Sequence, residues 1–381
     1  MSTLVNTTAK AAPMASLAAT ATSGLTVPLP DLVSHLRASR GFTHKRDIAA
    51  VMSSLSRALP GGLSDTTLAA REGVLLGDDC AAIPDADGHL LLAIEGLVSD
   101  FVEAMPWFAG YSAVMVNLSD IAAMGGRPIA VVDALWSVNA EQAEPLLQGM
   151  AAASAAYGVP IVGGHSNHRA GQGQLAVAVL GRAQALLSSF AAQAGQRLLM
   201  AVDLRGQWQG RYPFWDASTM ARPEQLRGDL ALMAELAEDG LCASAKDISM
   251  AGTLGTVLML LECAGLGGRI RLQDIPHPPG HGPLDAPDAW LRWLQAFPSY
   301  GYLLAVDDDQ AHEVKARFMA RGISCADIGE LDASGEVWLS HAEPGQAAPD
   351  QALLWHLHRE PFIGAPTLST LPMQSNPETL A

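Results

Sequence analysis

Apolar positions near the start of the chain recur at helical spacing. Asp31 to Ala38 and Lys45 to Leu59 read as helices, and in the second Ile48, Val51, Met52 and Leu55 share one face. The rhythm then shortens. Gly73 to Leu76 and His89 to Ile94 are short apolar runs that predict strands, joined by a turn at Asp85-Ala86-Asp87-Gly88. Pro106 to Met124 predicts a helix with Val114, Met115 and Leu118 on its buried side. Ile129 to Leu135 predicts a strand and Glu141 to Tyr157 a helix. Ile161-Val162 is a short strand running into the Gly163-Gly164-His165 loop, and Leu175 to Leu180 another strand. This order is an α+β pattern, with helices on one face of a sheet.

A linker near Ala183 to Gln196 leads to a second half of the same kind. Arg197 to Val202, Ile328 to Leu331 and Glu336 to Leu339 read as strands. Pro223 to Glu238 is a helix whose proline sits near its start, where a missing N–H costs nothing. Thr253 to Cys263, Ala286 to Ala296 and Asp309 to Ala320 are the other helices expected there. The chain thus divides into an extension over 1–30, a domain over 31–186, a domain over 190–341 and a tail over 342–381. The extension is rich in Ala, Thr and Ser, lacks Arg up to residue 30 and has no apolar core after a basic start. That composition predicts disorder rather than a targeting peptide. The tail carries repeated prolines and predicts an extended or wrapping path, with at most a short helix near Leu353 to His358.

Composition narrows the function. With 381 residues, 49% of them hydrophobic, the chain is long enough for two domains and a sizeable core. A net charge of −16 argues against nucleic-acid binding, which needs a basic face. Cys80, Cys242, Cys263 and Cys325 form no C-x-x-C pair, which fits reduced thiols in a cytoplasmic protein. No apolar run reaches the roughly 18 residues that a bilayer span requires, so no membrane partner is expected.

The candidate chemistry lies where apolar runs end. Gly77-Asp78-Asp79-Cys80 follows one run and Asn117-Leu118-Ser119-Asp120 closes another. Grouped carboxylates repel and need a compensating charge. Mg²⁺ carried in by phosphates supplies one, because it takes oxygen ligands and keeps several waters. A polar turn beside a surface acid is the alternative for Asp78-Asp79. The basic stretch Arg40 to Arg46 could reach phosphates or start a solvated helix. Trp208 to Trp215 could line a substrate pocket or cap a core. Lys246-Asp247-Ile248-Ser249-Met250-Ala251-Gly252 could offer free N–H groups to an anion or be a plain N-cap by Ser249 or Asp247.

Taken in order, Gly77-Asp78-Asp79, the long stretch Asn117 to Pro128, Val162-Gly163-Gly164 and Lys246-Asp247-Ile248-Ser249 resemble one superfamily, over about Gly73 to Leu339. It is the ATP-dependent group of aminoimidazole ribonucleotide (AIR) synthase, thiamine-monophosphate kinase, selenophosphate synthetase and the hydrogenase-maturation carbamoyl dehydratase. The nearest fit is an AIR-synthase-related subgroup. The resemblance implies a two-domain α+β fold of AIR synthase (PurM) type, each domain a mixed or antiparallel sheet with helices packed on one face. It implies a homodimer built by the first half, and ATP with Mg²⁺ as cofactors. Metal positions would be Asp78, Asp79, Asp120 and Asp247, with Glu95 where the kinase relatives place an Asp. Gly77, Asn117, Ser119, Gly163, Gly164 and Lys45 would meet ATP and its phosphates. Asp120 and His165 are the catalytic candidates.

Two positions depart from the relatives. His165 stands where AIR synthase and the kinase have an acid. An imidazole is a poor Mg²⁺ ligand and a good general base, and a structural histidine is the alternative. Met250 replaces a carboxylate that the kinase uses near its acceptor. No cysteine precedes Cys80, which disfavours selenophosphate synthesis. The expectation is an ATP-dependent enzyme that passes the γ-phosphoryl to an oxygen of a small molecule. The product is a stable ester or an intermediate that collapses by cyclisation or dehydration. The rival is a non-catalytic nucleotide-binding subunit of a biosynthetic complex.

Overall fold

A computed structural model of the chain describes residues 25–58, 75–342 and 346–365. The opening residues 1–24, together with Gly73, Val74 and the end of the proline-rich tail, lie outside the described residues.

Helix α1 (Leu29–Ala38) buries Leu29, Leu32 and Leu36, one side of three turns. Helix α2 (Arg40–Ala58) takes in the basic stretch and departs from expectation on its far side. Ile48, Val51 and Leu55 are exposed. The helix is anchored instead through Phe42, which is fully buried and packs against Phe362 at 5.2 Å and Trp355 at 6.3 Å.

The first sheet opens with a hairpin, β1 (Ala81–Asp85) and β2 (Gly88–Leu97). The turn lies where the sequence places it, but its first strand does not. Leu75 and Leu76 are irregular, and β1 begins after Cys80. The reason is register: Asp85 pairs Gly88 across a two-residue turn, which fixes Ala81 opposite Leu92. Gly77 to Cys80 therefore stay outside the ladder. A short helix α3 (Ser99–Ala104) leads to α4 (Pro106–Ala123), β3 (Arg127–Trp136), α5 (Ala140–Tyr157), β4 (Ile161–Asn167) and β5 (Gln174–Ala183). The strand order is β1-β2-β5-β3-β4, antiparallel except for β3 with β4. Gly163, Gly164 and His165 thus lie inside edge strand β4 rather than in a loop, because β3 supplies a parallel partner as far as Asn167. Helix α4 is buried from Phe108 onward. Such a helix has no polar face and shows why only its existence, not its orientation, is readable from periodicity.

The second domain holds β6 (Arg197–Val202), β7 (Gln207–Trp208), β8 (Phe214–Asp216), α6 (Pro223–Glu238) and β9 (Ser244–Asp247). Then come α7 (Gly252–Ala264), β10 (Gly267–Arg271), α8 (Pro287–Leu294), β11 (Phe297–Pro298) and β12 (Gly301–Val306). The set closes with α9 (Ala311–Ala320), β13 (Ser324–Asp332), β14 (Glu336–His341) and β15 (Asp350–His356). The main sheet runs β15-β14-β10-β13-β6-β12-β9, with β10 and β14 parallel. A small sheet of β11, β8 and β7 stands apart. Alternate residues of β12 serve two cores. Tyr302, Leu304 and Val306 join the core shared with the first domain, while Leu303 and Ala305 join one under α7, α8 and α1. The expected helix near Leu353 to His358 is absent: β14 offers a free edge and β15 takes it.

Candidate functional site

Between the domains, three distant segments bring carboxylates together. Asp79 comes from the bend before β1, Asp120 from α4 and Asp247 from the end of β9. One oxygen from each lies within 4.8 Å of the others. Asp120 and Asp247 are buried. Asp79 is held from both sides: its Oδ1 accepts from Lys246 Nζ at 2.6 Å and its Oδ2 from the Asp247 N–H at 3.2 Å. Strand β9 achieves this because its register with β12 pairs Tyr302 with Asp247 and Leu303 with Lys246.

Around the three stand Glu95, at the end of β2, and Lys45, on α2. Lys45 lies within electrostatic reach of the cluster and favours ionisation of both Glu95 and Asp247. Glu95 is exposed as a residue, yet protein crowds its carboxylate and raises its pKa, and Asp79 adds to the rise. Burial and then Asp247 push Asp120 well above the usual carboxylate range. Burial and then Asp79 push Asp247 up to about 8. Burial would lower Lys246, but Asp79 and Asp78 outweigh it and hold the ammonium firmly charged. Without a cation the cluster relieves its repulsion by keeping protons; a cation would displace them.

Three buried polar atoms nearby lack hydrogen-bond partners: Tyr302 Oη, Asn117 Oδ1 and Ser249 Oγ. Tyr302 approaches Ser119 without reaching good hydrogen-bond geometry, and its hydroxyl feels Asp247, Asp120 and Asp79. Buried orphans of this kind are rare and mark a place for water or a ligand. An all-oxygen donor set suits Mg²⁺ or Mn²⁺, not a thiolate-seeking metal.

The remaining candidates scatter. Asp78 does not join the cluster. Its carboxylate accepts from Ser188 Oγ at 2.6 Å and from the Ser189 N–H at 3.1 Å, which ties the segment between the domains. Gly77 (φ 126°) is packed rather than open to phosphate: a Cβ there would stand 2.9 Å from the Ala365 methyl and 3.2 Å from Cys263 Sγ. Asn117 donates from Nδ2 to Ala113 O, and its buried Oδ1 has no hydrogen-bond partner among the described residues. Gly163, Gly164 and His165 sit on β4, three strand spacings from β2 and so roughly 14 Å across the sheet from Glu95. His165 is exposed beside Trp136, with ring centroids 6.3 Å apart. A catalytic role for it on this chain's own cluster has no geometric support. Ser249 and Asp247 do not cap α7, whose N-cap is Ala251 without a side-chain bond.

Sequence reasoning missed Lys246 as the partner of Asp79; no spacing announces a pair 167 residues apart. It also missed an apolar cleft that opens beside Glu95 and Met250. The cleft is walled by Phe101, Phe108, Phe214 and Phe297. Of the Trp208 to Trp215 stretch, Trp215 is buried in the core and also borders the cleft, and Phe214 is cleft wall.

Fold and site together define a protein of two α+β domains that close on a cluster of three carboxylates. The chain belongs to the AIR synthase related family: it matches the family's N-terminal domain over residues 77–183 and its C-terminal domain over 190–340. An uncharacterized protein of Synechocystis sp. is 43% identical over 337 residues, which cover 88% of this chain and 98% of that one. Selenide, water dikinase of Cronobacter sakazakii is 29% identical, covering 67% of this chain and 82% of the enzyme. Among solved structures, T. maritima PurL complexed with ATP superposes with a TM-score of 0.59 at 18% identity. That match covers 84% of this chain and about half, 52%, of the PurL chain. The superfamily fold expected from the motifs is therefore present, and its members include ATP-dependent enzymes.

Proposed function

We infer that the protein binds Mg²⁺·ATP at the acid cluster and transfers the γ-phosphoryl group to an oxygen of a small molecule. The convergence of Asp79, Asp120 and Asp247 within 4.8 Å carries this reading. These carboxylates would hold the cation, which neutralises phosphate charge. Lys45, which has no ion-pair partner among the described residues and acts electrostatically on Glu95 and Asp247, would meet a phosphate oxygen. Lys246 holds the Asp79 carboxylate in place through its 2.6 Å ion pair. Phosphoryl transfer asks a protein for positioning and charge stabilisation more than for a covalent nucleophile. Glu95 stands where the cluster meets the cleft, and its raised pKa suits it to take the proton an acceptor hydroxyl gives up.

The outer face of the first sheet supports a second copy of the chain as partner. Register puts Leu92 opposite Leu180, and Ile94 and Val132 opposite Ala178, on the face away from α4 and α5. Leu92, Ile94, Val132 and Leu180 are exposed there. A one-sided sheet normally turns polar residues outward, so an apolar outer face calls for a cover.

Met250 favours a second reading, a nucleotide-binding subunit without turnover, because it faces the cleft where a carboxylate stands in kinase relatives. Calorimetry with ATP, with and without EDTA, tests the first reading. Binding should need the divalent ion, and Asp120→Asn should weaken it at least tenfold. Equal affinity with and without EDTA would refute the cluster's role. Tight binding with no ADP formed for any acceptor would favour the subunit.

A further inference from the structure

The apolar cleft does not end at its four phenylalanines. It opens outward into a second hollow, and the two share Val98, Phe214 and Met250. The inner part is a cage of rings: Phe101 and Phe214 lie 4.8 Å apart by centroid, and Phe214 and Phe297 6.2 Å. Glu95 lines it as well, and that carboxylate interacts with Asp79, Asp120 and Asp247 of the acid cluster. The outer hollow carries Arg40 and Arg292. Arg292 lies 4.0 Å over the Trp208 ring, and one terminal nitrogen donates to Gly210 O at 2.8 Å and Tyr212 O at 3.0 Å. That grip fixes the guanidinium and leaves its other edge free. Among the described residues neither arginine has an ion-pair partner, although Asp288 lines the same hollow. Burial lowers the pKa of Arg292, as expected of a cation without a carboxylate beside it. Gly41 keeps the hollow closed on one side: a Cβ there would come 2.6 Å from the Met250 carbonyl oxygen, so α2 can lie against the Met250 loop.

From acid cluster to solvent the order is therefore carboxylate, aromatic cage, guanidinium. We propose that this cleft binds the phosphoryl acceptor and that the acceptor is a hydroxyl-bearing aryl carboxylate. Its ring lies among Phe101, Phe108, Phe214 and Phe297, its hydroxyl reaches Glu95 and its carboxylate meets Arg292 and Arg40. This rests on the reading of the acid cluster as the Mg²⁺·ATP site. In the reaction the acceptor oxygen bonds to the γ-phosphorus and the bond from that phosphorus to the β–γ bridging oxygen breaks. The hydroxyl proton passes to Glu95, leaving ADP and an aryl phosphate ester. A sugar phosphate is a poor fit, since its hydroxyls would be stripped of water against phenylalanine rings. A guanidinium, by contrast, grips a carboxylate with paired, charge-assisted hydrogen bonds.

Three small probes separate the possibilities: 4-hydroxyphenylacetate, tyramine as its charge-reversed counterpart, and ribose 5-phosphate. Each is titrated by calorimetry into the full chain with Mg²⁺·AMPPCP present, and again without nucleotide. The aryl carboxylate should bind at least tenfold tighter than either of the others. Arg292→Gln should abolish its advantage over tyramine while leaving Mg²⁺·AMPPCP binding unchanged. Phe214→Leu, which keeps most of the volume and removes the ring, should weaken the aryl carboxylate about fivefold or more. Tighter binding of ribose 5-phosphate, or no binding of the aryl carboxylate to protein that binds Mg²⁺·AMPPCP, overturns the proposal. So does an undiminished preference over tyramine in Arg292→Gln. If Mg²⁺·AMPPCP itself fails to bind, the nucleotide reading falls, and the nucleotide-free titrations still decide the cleft by the same criteria.

Discussion

Asp247 joins the end of β9 to the cluster and shows what the site costs when no cation is present. Its folded pKa, about 8, lies above the 3.8 of an ordinary aspartate. A group raised in this way favours the folded state fully below about pH 4, and that contribution is lost as pH climbs through about 8. Cation-free protein should therefore lose stability across that window. Mg²⁺ binds the deprotonated form, so its stabilisation should grow in the same direction. Thermal melts with and without Mg²⁺ should show a larger separation at about pH 8 than at about pH 6, and Asp247→Asn should shrink the separation at both. An equal separation at the two pH values would mean that the cation binds elsewhere. Asp78 shows the limit of reading residues singly. It adjoins Asp79 in the chain and carries the same group, but in the bend before β1 the two carboxylates diverge, one to Ser188 and Ser189, the other to Lys246.

Among the elements, the segment after β15 does most to seat the site's scaffold. The Glu262 carboxylate, on buried α7, accepts from the N–H groups of Phe362, Ile363 and Gly364 at 2.7–3.1 Å. It thereby pins this segment under α2 and beside Gly77. Glu360 completes the clamp by pairing with Arg37 and Arg46 of the two N-terminal helices. Hydrogen bonds to a charged group contribute about 1.5–3 kcal/mol each. Glu262→Gln keeps the shape but loses the charge and turns an NH₂ toward at least one N–H. Urea unfolding should register a loss of about 2–3 kcal/mol, in line with one such bond. A loss below roughly half a kcal/mol, within the range of surface substitutions, would show that the segment is held by its apolar contacts alone. This clamp was not legible beforehand, because six prolines after residue 342 signal only an extended path. The two-residue hairpin was legible from its turn residues; the strand before it was not, since an apolar run beside a flexible glycine looks the same in or out of a ladder.

At the scale of the whole molecule, the outer face of the first sheet, which exposes Leu92, Ile94, Val132 and Leu180 among the described residues, predicts a dimer. Light scattering at micromolar concentration should report twice the chain mass. Ile94→Lys, in the middle of that face, should return the mass of one chain with the fold intact. A wild-type monomer that still binds Mg²⁺·ATP would detach the site from any second copy. The apolar stripe of α2, with Ile48, Val51 and Leu55 exposed, lies outside this face and belongs to no core of the described residues.

By itself the sequence determined what depends on neighbours along the chain: most helices and strands, the α+β class of both halves and the ordered motifs that mark the superfamily. It also contained Asp79, Asp120 and Asp247, because acids placed at the ends of apolar runs end up where elements meet. Only the tertiary structure decided which acids converge, since that depends on β9 pairing with β12 and α4 lying between the domains. Likewise only the fold placed Lys246 on Asp79, moved His165 out to an edge strand and gathered four phenylalanines from 101, 108, 214 and 297 into one cage. Hydrophobic periodicity sets which face of an element is buried; it does not set what that face is buried against.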